Sequence, residues 1–440
     1  TVTAGGDLEV NRNSETRGGD LSIDVGGDIV LNRQIASRNG GSVTANADGS
    51  IFINRDMRMR GAGDMTLIAG DRIEVDRQIR RDGAGDLSLQ AENDITINRN
   101  IFANDDGSIG IESQSGDILL GGSTANQRIS TNGGDVTLTA TTGSVRLERT
   151  NNRTRNTQVY AGDGDISITA GTEILLQGGT RRNASVTVGR AGDSSDIPLS
   201  APTVSVLAGD GPTTTFAQVV TSGEGSISVE ADLLVIEDGT GGATASIEAI
   251  DGASLTLDAG IQQWDGLVRA DGDAATGGHV SLTGAITATV APIFDLNNGA
   301  DFALNTGNPL GSLRADGLSF DVTTTGGTIS VNGALDAQEI TLVTDTGVAL
   351  GANAALTAAG LGNALVISAA DSFNNAGGAD VLNMTDPSAR WLLYMNTFAS
   401  LAGTAPASGE FDLYNRSFAT DPPSTLDAYA AVSYTHLTLP

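Results

Sequence analysis

The chain has 440 residues, of which only 4% are aromatic and 58 are glycine, so a bulky globular core is hard to build and thin stacked coils with aliphatic interiors are favoured. It contains no cysteine, which excludes disulfide scaffolds, zinc-thiolate sites and thiol nucleophiles. The formal net charge of -29 disfavours nucleic acid and anionic lipid as partners.

A repeat of 22 residues runs from Gly18 to about Asp105. Apolar and polar residues alternate within each copy, as half-buried strands require, and paired glycines between the strands allow tight corners. A fixed period with three apolar positions predicts that each strand stacks on its equivalent in the next copy, which gives an all-β fold, a right-handed parallel β-helix (β-solenoid). The equivalent residues are Leu21, Val43, Met65 and Leu87; Ile29, Ile51, Ile73 and Ile95; and Ile35, Met57, Ile79 and Ile101.

After Gly116 the spacing loosens, although the same glycine-then-strand phrase recurs. We therefore expect a parallel β-helix over residues 1–385, with regular coils to about 112 and irregular coils with loop insertions after that point. A chain of this length would wind roughly 20 coils. Polar stretches at Thr150–Thr157 and Arg190–Thr203 are expected to form loops. The recurring phrases lie at 134–138, 164–168, 225–229 and 327–331.

An arginine stands at the same position of four successive coils, preceded each time by Asn or Asp. Stacked amides can hydrogen-bond from coil to coil. Guanidinium groups about 5 Å apart repel each other, so they must be solvated, interleaved with carboxylates, or face an anion such as a sulfated or uronic glycan. We expect interleaved carboxylates, and a glycan-binding stripe is the alternative. The pairs are Asn32-Arg33, Asn54-Arg55, Asp76-Arg77 and Asn98-Arg99.

Other patterns of reactive residues are less specific. Gly-Gly-Asp recurs, but with a longer period than the nonapeptide repeats of calcium-binding β-rolls. The acidic pairs Asp105-Asp106 and Asp163 with Asp165 could act in a polysaccharide lyase or hydrolase, yet acids beside glycine are typical of turns. The two histidines, His279 and His436, are too distant for a recognisable metal site or triad. We expect no catalytic residue, metal site or cofactor, and we keep a polysaccharide-degrading enzyme and a calcium-stabilised surface-layer or ice-binding rod as alternatives.

Near the end the composition changes to the motif Arg390-Trp391-Leu392 with Tyr394, followed by further aromatic residues. This segment resembles filamentous haemagglutinin-like exoproteins of the two-partner secretion type, in which such a motif follows many glycine-rich strand repeats. The resemblance implies a bacterial protein that is secreted, outer-membrane associated or extracellular. It also implies an adhesin or structural scaffold that uses an outer-membrane transporter partner during export and binds a surface glycan or protein of a host or neighbouring cell.

Residues 386–431 are expected to form a capping segment and linker, in which Trp391 covers the open end of the β-helix. Residues 432–440 resemble a translated sequencing adapter, so we assign them no role. No stretch has the apolar length of a membrane span. The chain opens at Thr1 without an initiator Met or an export signal, so we expect a secretion domain upstream.

Overall fold

The computed structural model is all-β, and its parallel strands stack as a β-solenoid of about 15 turns. Contacts divide it into two compact units, unit 1 (Thr1–Thr221 with Gly225–Ser246) and unit 2 (Ser222–Glu224 with Ile247–Pro440). The structure describes residues 1–121, 126–149, 156–180, 185–190, 192, 194–212, 215–271, 278–296, 301–306, 312–395, 401–406, 411–413, 418–419, 422–423 and 432–434.

In unit 1 three parallel stacks enclose a narrow interior, and as far as Ser222 every third strand belongs to the same stack. The strand Ser226–Glu237 then pairs with two earlier strands, Ile197–Ser200 and Thr203–Leu207. The first stack starts at β1, the second at β2 and the third at β3. Up to residue 250 the strands are β1 (Val2–Ala4), β2 (Leu8–Val10), β3 (Ser14–Arg17), β4 (Leu21–Val25), β5 (Ile29–Leu31), β6 (Ile35–Arg38), β7 (Val43–Ala47), β8 (Ile51–Ile53), β9 (Met57–Arg60), β10 (Met65–Ala69), β11 (Ile73–Val75), β12 (Ile79–Asp82), β13 (Leu87–Ala91), β14 (Ile95–Ile97), β15 (Ile101–Asn104), β16 (Ile109–Ser113), β17 (Ile118–Leu120), β18 (Gln127–Thr131), β19 (Val136–Ala140), β20 (Val145–Glu148), β21 (Thr157–Tyr160), β22 (Ile166–Ala170), β23 (Glu173–Gln177), β24 (Val186–Gly189), β25 (Ile197–Ser200), β26 (Thr203–Leu207), β27 (Phe216–Ser222), β28 (Ser226–Glu237) and β29 (Thr244–Ile250).

The register confirms the period read from the sequence. Ile73 pairs with Ile51 and with Ile95 in parallel strands, and the side chain of Ile73 is only 1% exposed. The next residue, Glu74, is half-buried on the outward side of the same strand. Each of the three apolar repeat positions therefore forms its own column of stacked residues, one from each coil. These columns bury apolar surface without large side chains.

The Gly-Asp and Gly-Ser dipeptides mark a hydrogen-bonded corner in unit 1. The residue before the first strand of a coil accepts a hydrogen bond from the backbone N–H of its equivalent one coil later. Asp20 Oδ1 accepts from Ser42 N at 2.9 Å, and Asp64 Oδ1 accepts from Asp86 N at 3.0 Å. These bonds satisfy corner N–H groups that lie outside the β ladders. The same step joins Ser42 to Asp64, Asp86 to Ser108, Ser108 to Asp135, Asp135 to Asp165, and Asp165 to Asp196.

One arginine lies inside the solenoid. Arg81 is 0% exposed and occupies an interior position between Met59 and Ala103 of the adjacent coils. Its Nη1 donates to the carbonyl of Gly61 at 2.6 Å, whereas Nε and Nη2 have no hydrogen-bond partner among the described residues. Burial lowers the pKa of Arg81, against the attraction of Asp64 and other nearby carboxylates. A Cβ on Gly85 would overlap the Arg81 guanidinium, so the arginine requires glycine at this corner.

We expect Arg81→Met to leave the free energy of unfolding unchanged or to raise it by about 1 kcal/mol, because a buried charge with unsatisfied donors is often outperformed by an apolar side chain of similar volume. Met59 already fills the same position one coil earlier. Urea denaturation followed by hydrogen exchange of unit 1 measures the change. Arg80→Met is the control, since Arg80 points outward and pairs with Asp82. A larger loss for Arg81→Met than for Arg80→Met would contradict the expectation.

Unit 2 also has three parallel stacks, but several of its strands run through a corner and contribute to two of them. β32 pairs with both β34 and β35, and β37 pairs with both β39 and β40. After residue 250 the strands are β30 (Ser254–Asp265), β31 (Leu267–Asp271), β32 (Val280–Ala288), β33 (Ile293–Leu296), β34 (Phe302–Asn305), β35 (Ser312–Thr324), β36 (Ile329–Val331), β37 (Ala334–Thr344), β38 (Gly347–Leu350), β39 (Ala355–Ala358), β40 (Gly362–Ala369), β41 (Ser372–Asn375), β42 (Leu382–Met384), β43 (Ala389–Tyr394), β44 (Leu401–Gly403), β45 (Phe411–Leu413) and β46 (Val432–Tyr434).

The interior of unit 2 holds larger side chains than that of unit 1. Trp264 is 0% exposed, and its indole N–H donates to Gln262 Oε1 at 3.1 Å. Phe294, Phe302 and Phe320 pack together with ring centroids 5.3 to 6.2 Å apart. Buried aromatic pairs of this kind stabilise by about 1 kcal/mol beyond their area, so this cluster adds to the stability of unit 2.

Two expectations need correction. The solenoid has about 15 turns instead of roughly 20, because coils lengthen to 31 residues between Ile168 and Leu199. Arg190–Thr203 is not one loop, since it contains β25 and the first residue of β26. Its pairing with β22 begins at Leu199, after Pro198, which has no N–H to donate. Residues 150–155 of the other expected loop lie outside the described residues, and Thr157 begins β21.

The segment expected to form the cap contains further strands. Trp391 lies in β43, which continues a stack of unit 2 and pairs Trp391 with Leu365. The carbonyl of Pro423 accepts a hydrogen bond from Asn363 at 2.6 Å. In the segment that resembles an adapter, Val432–Tyr434 forms β46, which pairs with β45, and residues 435–440 lie outside the described part. Protection of the solenoid end by Trp391 stays a prediction.

Candidate functional site

The repeated arginines lie at the corner between the second and third stacks of unit 1. Each follows a strand of the second stack and precedes a strand of the third, as Arg33 does between β5 and β6. The register adds Arg12, which is equivalent to Arg33 because Val10 pairs with Leu31. Sequence reasoning missed Arg12 because its interval to Arg33 is 21 residues instead of 22. The arginine corner consists of Arg12, Arg33, Arg55, Arg77 and Arg99.

An amide ladder supports this corner. Asn54 Nδ2 donates to Asn32 Oδ1 at 3.0 Å, and Asn98 Nδ2 donates to Asp76 Oδ1 at 2.8 Å. Asn32 Nδ2 also donates to Asn11 Oδ1 at 3.2 Å. The expected hydrogen bonds between stacked amides are thus present at these steps, and they fix the backbone from which the arginines project.

The guanidinium groups of the arginine corner are not interleaved with carboxylates. Arg33, Arg55 and Arg77 are exposed and Arg99 is half-buried. Within the described ranges none of the five forms a salt bridge, and Arg33 Nη1 donates only to the neighbouring carbonyl of Asn32 at 3.0 Å. The expected carboxylate ladder is therefore wrong, because the nearby acids have other roles. Asp76 accepts from Asn98, and Asp56 Oδ1 accepts from the backbone of Gln78 at 3.3 Å.

Positive charge continues from the corner onto the outward side of the third stack. Arg17 and Arg38 share Glu15, at 2.8 and 3.2 Å, and the hydrogen bond from Arg17 with the charge of Arg38 lowers the pKa of Glu15. Arg58 and Arg80 share Asp82, at 3.0 and 2.7 Å. Besides the interior Arg81, the segments 11–17, 32–38, 54–60, 76–82 and 98–104 contain ten arginines and only four acidic residues. This side of unit 1 is thus positive on a chain of net charge -29.

The same side carries an arginine stacked on aromatic rings further along the solenoid. The Arg128 guanidinium carbon lies 3.9 Å from the ring centroid of Tyr160 and 5.4 Å from that of Phe102. Burial, together with the charge of Arg190, lowers the pKa of Arg128. No pattern in the sequence indicates this group, because irregular coil lengths separate its members.

The acidic and histidine candidates from the sequence lie at turns, at corners or on the exposed surface in the described part of the chain. Asp165 accepts a hydrogen bond from Asp196 in the corner ladder, and the backbone of Asp163 donates to Asn132. Asp105 has a positive φ of 60° at a turn. His279 is exposed and accepts a hydrogen bond from the backbone of Asp301 at 3.2 Å, whereas His436 lies outside the described residues. The ice-binding alternative needs a flat array of outward Thr side chains. One outward column of Ser and Thr is present, at Ser22, Thr44, Thr66 and Ser88. It has no second Thr column beside it, since the adjacent positions are Asp24, Asn46, Ile68 and Gln90.

Among the residues that the structure describes, no group of three or more His, Asp or Glu side chains is placed to hold a metal ion. Nor does this part of the chain contain a helix with the length and apolar character needed to cross a bilayer. Comparison with protein-family models, with curated proteins and with solved structures gives no match.

Proposed function

We propose that this chain is part of a secreted bacterial surface protein that acts as an adhesin or extracellular scaffold, and that its arginine corner binds an anionic polysaccharide. The observation that carries the ligand assignment is the line of five guanidinium groups without a salt bridge in the described part of unit 1. The Arg390-Trp391-Leu392 resemblance, the solenoid and the absence of cysteine support secretion through an outer-membrane transporter partner and an extracellular or outer-membrane location.

The corner fits a linear polyanion because its charges repeat at the spacing of stacked strands, about 4.8 Å. Such a ligand relieves the repulsion between neighbouring arginines, and each planar guanidinium can make paired hydrogen bonds to a carboxylate or sulfate. The acidic remainder of the chain would repel the same polymer elsewhere and so confine it to this side. This proposal assigns no catalytic residue; Asp165 accepts a backbone hydrogen bond and Asp105 lies at a turn with positive φ.

Replacing Arg33, Arg55, Arg77 and Arg99 together by Gln is expected to weaken binding of polygalacturonate or heparin by at least about tenfold, because charge-assisted hydrogen bonds are lost. Titration calorimetry at low and moderate NaCl measures it, and wild-type binding should weaken as salt rises.

The matched control replaces Arg72, Arg146, Arg269 and Arg314 by Gln, which removes the same charge from other positions. This control should bind like the wild type, and far-UV circular dichroism checks that both variants fold. Equal binding by the two variants, or no salt-dependent binding by the wild type, would refute the proposed ligand.

A further inference from the structure

The outward side of the third stack has a notch near its start. A column of outward side chains runs through the first five coils, and one member of this part of the column is small. The small residue, Ala36, leaves a cleft of about 160 Å³ beside Arg38, Arg58 and Arg60. That volume exceeds the share of several water molecules, about 30 Å³ each, so the cleft can take a carboxylate or sulfate group with part of a sugar ring. The column is Glu15, Ala36, Arg58, Arg80 and Phe102.

The charges around the cleft are unbalanced. Arg17, Arg38 and Arg60 occupy equivalent outward positions in three consecutive coils, Asp82 takes that position in the next coil, and Glu15 is the one carboxylate that lines the cleft. Glu15 pairs with Arg17 and Arg38. Arg60 is exposed and has no salt bridge in the described part of the chain. Counting Arg58 and its partner Asp82, four arginines stand with two carboxylates on coils about 4.8 Å apart, which leaves a local excess of positive charge that an incoming anion would reduce.

The cleft joins the arginine corner directly. Asn13 and Gln34 line it, and each follows an arginine of the corner in the sequence, Arg12 and Arg33. The backbone N–H of Gln34 donates to Asn13 Oδ1 at 3.3 Å. The side-chain amides lie between the two sets of arginines, where they can donate to or accept from hydroxyl groups.

We propose that this cleft is a subsite that binds the carboxylate or sulfate group of one sugar residue, while the rest of the polysaccharide follows the arginine corner. The inference rests on the proposed function and adds a defined point of attachment to it. A saccharide fits better than an acidic peptide, because amides, hydroxyls and arginines line the cleft beside the single carboxylate of Glu15, and Ala36 is its only residue with an apolar side chain.

Ala36→Gln tests the subsite, because it fills the notch without changing the charge. The column tolerates large side chains, since Arg58 and Phe102 occupy equivalent positions. We expect Ala36→Gln to weaken binding of a short oligogalacturonate or a short heparin oligosaccharide about tenfold, equal to about 1.4 kcal/mol. Arg60→Gln should have a similar effect. Arg146→Gln removes a charge on another side of the solenoid and should bind like the wild type.

The comparison of the two oligosaccharides distinguishes carboxylate from sulfate as the preferred group, and neutral dextran controls for charge-independent binding. Unchanged affinity of folded Ala36→Gln and Arg60→Gln, with loss of affinity on substitution of the arginine corner, would overturn the subsite and leave the proposed function standing. Absence of binding by the wild type would overturn both. Equal competition by poly-glutamate would overturn the saccharide assignment, because charge alone would then explain the binding.

Discussion

Replacing Ile73 by Asp is expected to destabilise unit 1 by about 4 kcal/mol, because the new carboxylate would lie in an interior with no partner. Ile73 is 1% exposed and stacks between Ile51 and Ile95. The interior is only one side chain deep from each strand, so the backbone has little room to turn the charge towards water. Hydrogen exchange of unit 1 peptides during urea denaturation measures the loss.

The control is the same substitution on the outward side of the same coil. Ile68 is 38% exposed, between Asn46 and Gln90 of the adjacent coils, so Ile68→Asp should change the free energy of unfolding by no more than about 0.5 kcal/mol. Similar losses for the two variants would show that the interior column is not what holds the coils together.

Replacing Gly284 by Ala is expected to destabilise unit 2 by about 3 kcal/mol. Gly284 lies within β32 with a positive φ of 113°, which L side chains rarely adopt. A Cβ at this position would overlap the backbone carbonyl oxygen of Ala259 in the adjacent coil. Backbone atoms cannot move aside as a flexible side chain can, so steric overlap adds to the conformational strain.

Fluorescence reports this change selectively, because both tryptophans, Trp264 and Trp391, belong to unit 2. Gly317→Ala separates the two causes, since Gly317 has a φ of 76° but no atom near the position of a Cβ. It should cost about 1 kcal/mol, from conformation alone. If Gly284→Ala costs no more than Gly317→Ala, the close approach of the coils is not limiting.

The period of the sequence was sufficient to predict the register of the early coils. Each of the three apolar positions carries an aliphatic residue, and a shift by one residue would turn every such side chain outward. Ile29, Ile51, Ile73 and Ile95 therefore specify one pairing. The glycines at the corners agree with it, so local and long-range preferences predict the same fold.

The features that were missed depend on departures from the period. Arg12 was not assigned to the arginine repeat because one coil is a residue shorter. The strand β25 was not predicted because Pro198 suggested a loop. The interior position of Arg81 was hidden by its outward neighbour Arg80, since two adjacent arginines give no alternation. The prediction that carboxylates lie between the arginines of the corner was wrong for a different reason. Asp56 and Asp76 are close in sequence, but backbone and amide donors already engage them.

The side-chain acceptors at the corners of unit 1 give the solenoid a direction. At these corners the acceptor belongs to the earlier coil and the N–H to the later one, as between Asp20 and Ser42, Asp28 and Ser50, and Asn13 and Gln34. A coil that has already formed thus presents side-chain acceptors to the chain that follows it. If the donors were in the earlier coil instead, their N–H groups would have no partner until the next coil formed. Growth from the N-terminal side therefore brings each new corner N–H group to an acceptor that is already in place, which suits a polypeptide that emerges progressively.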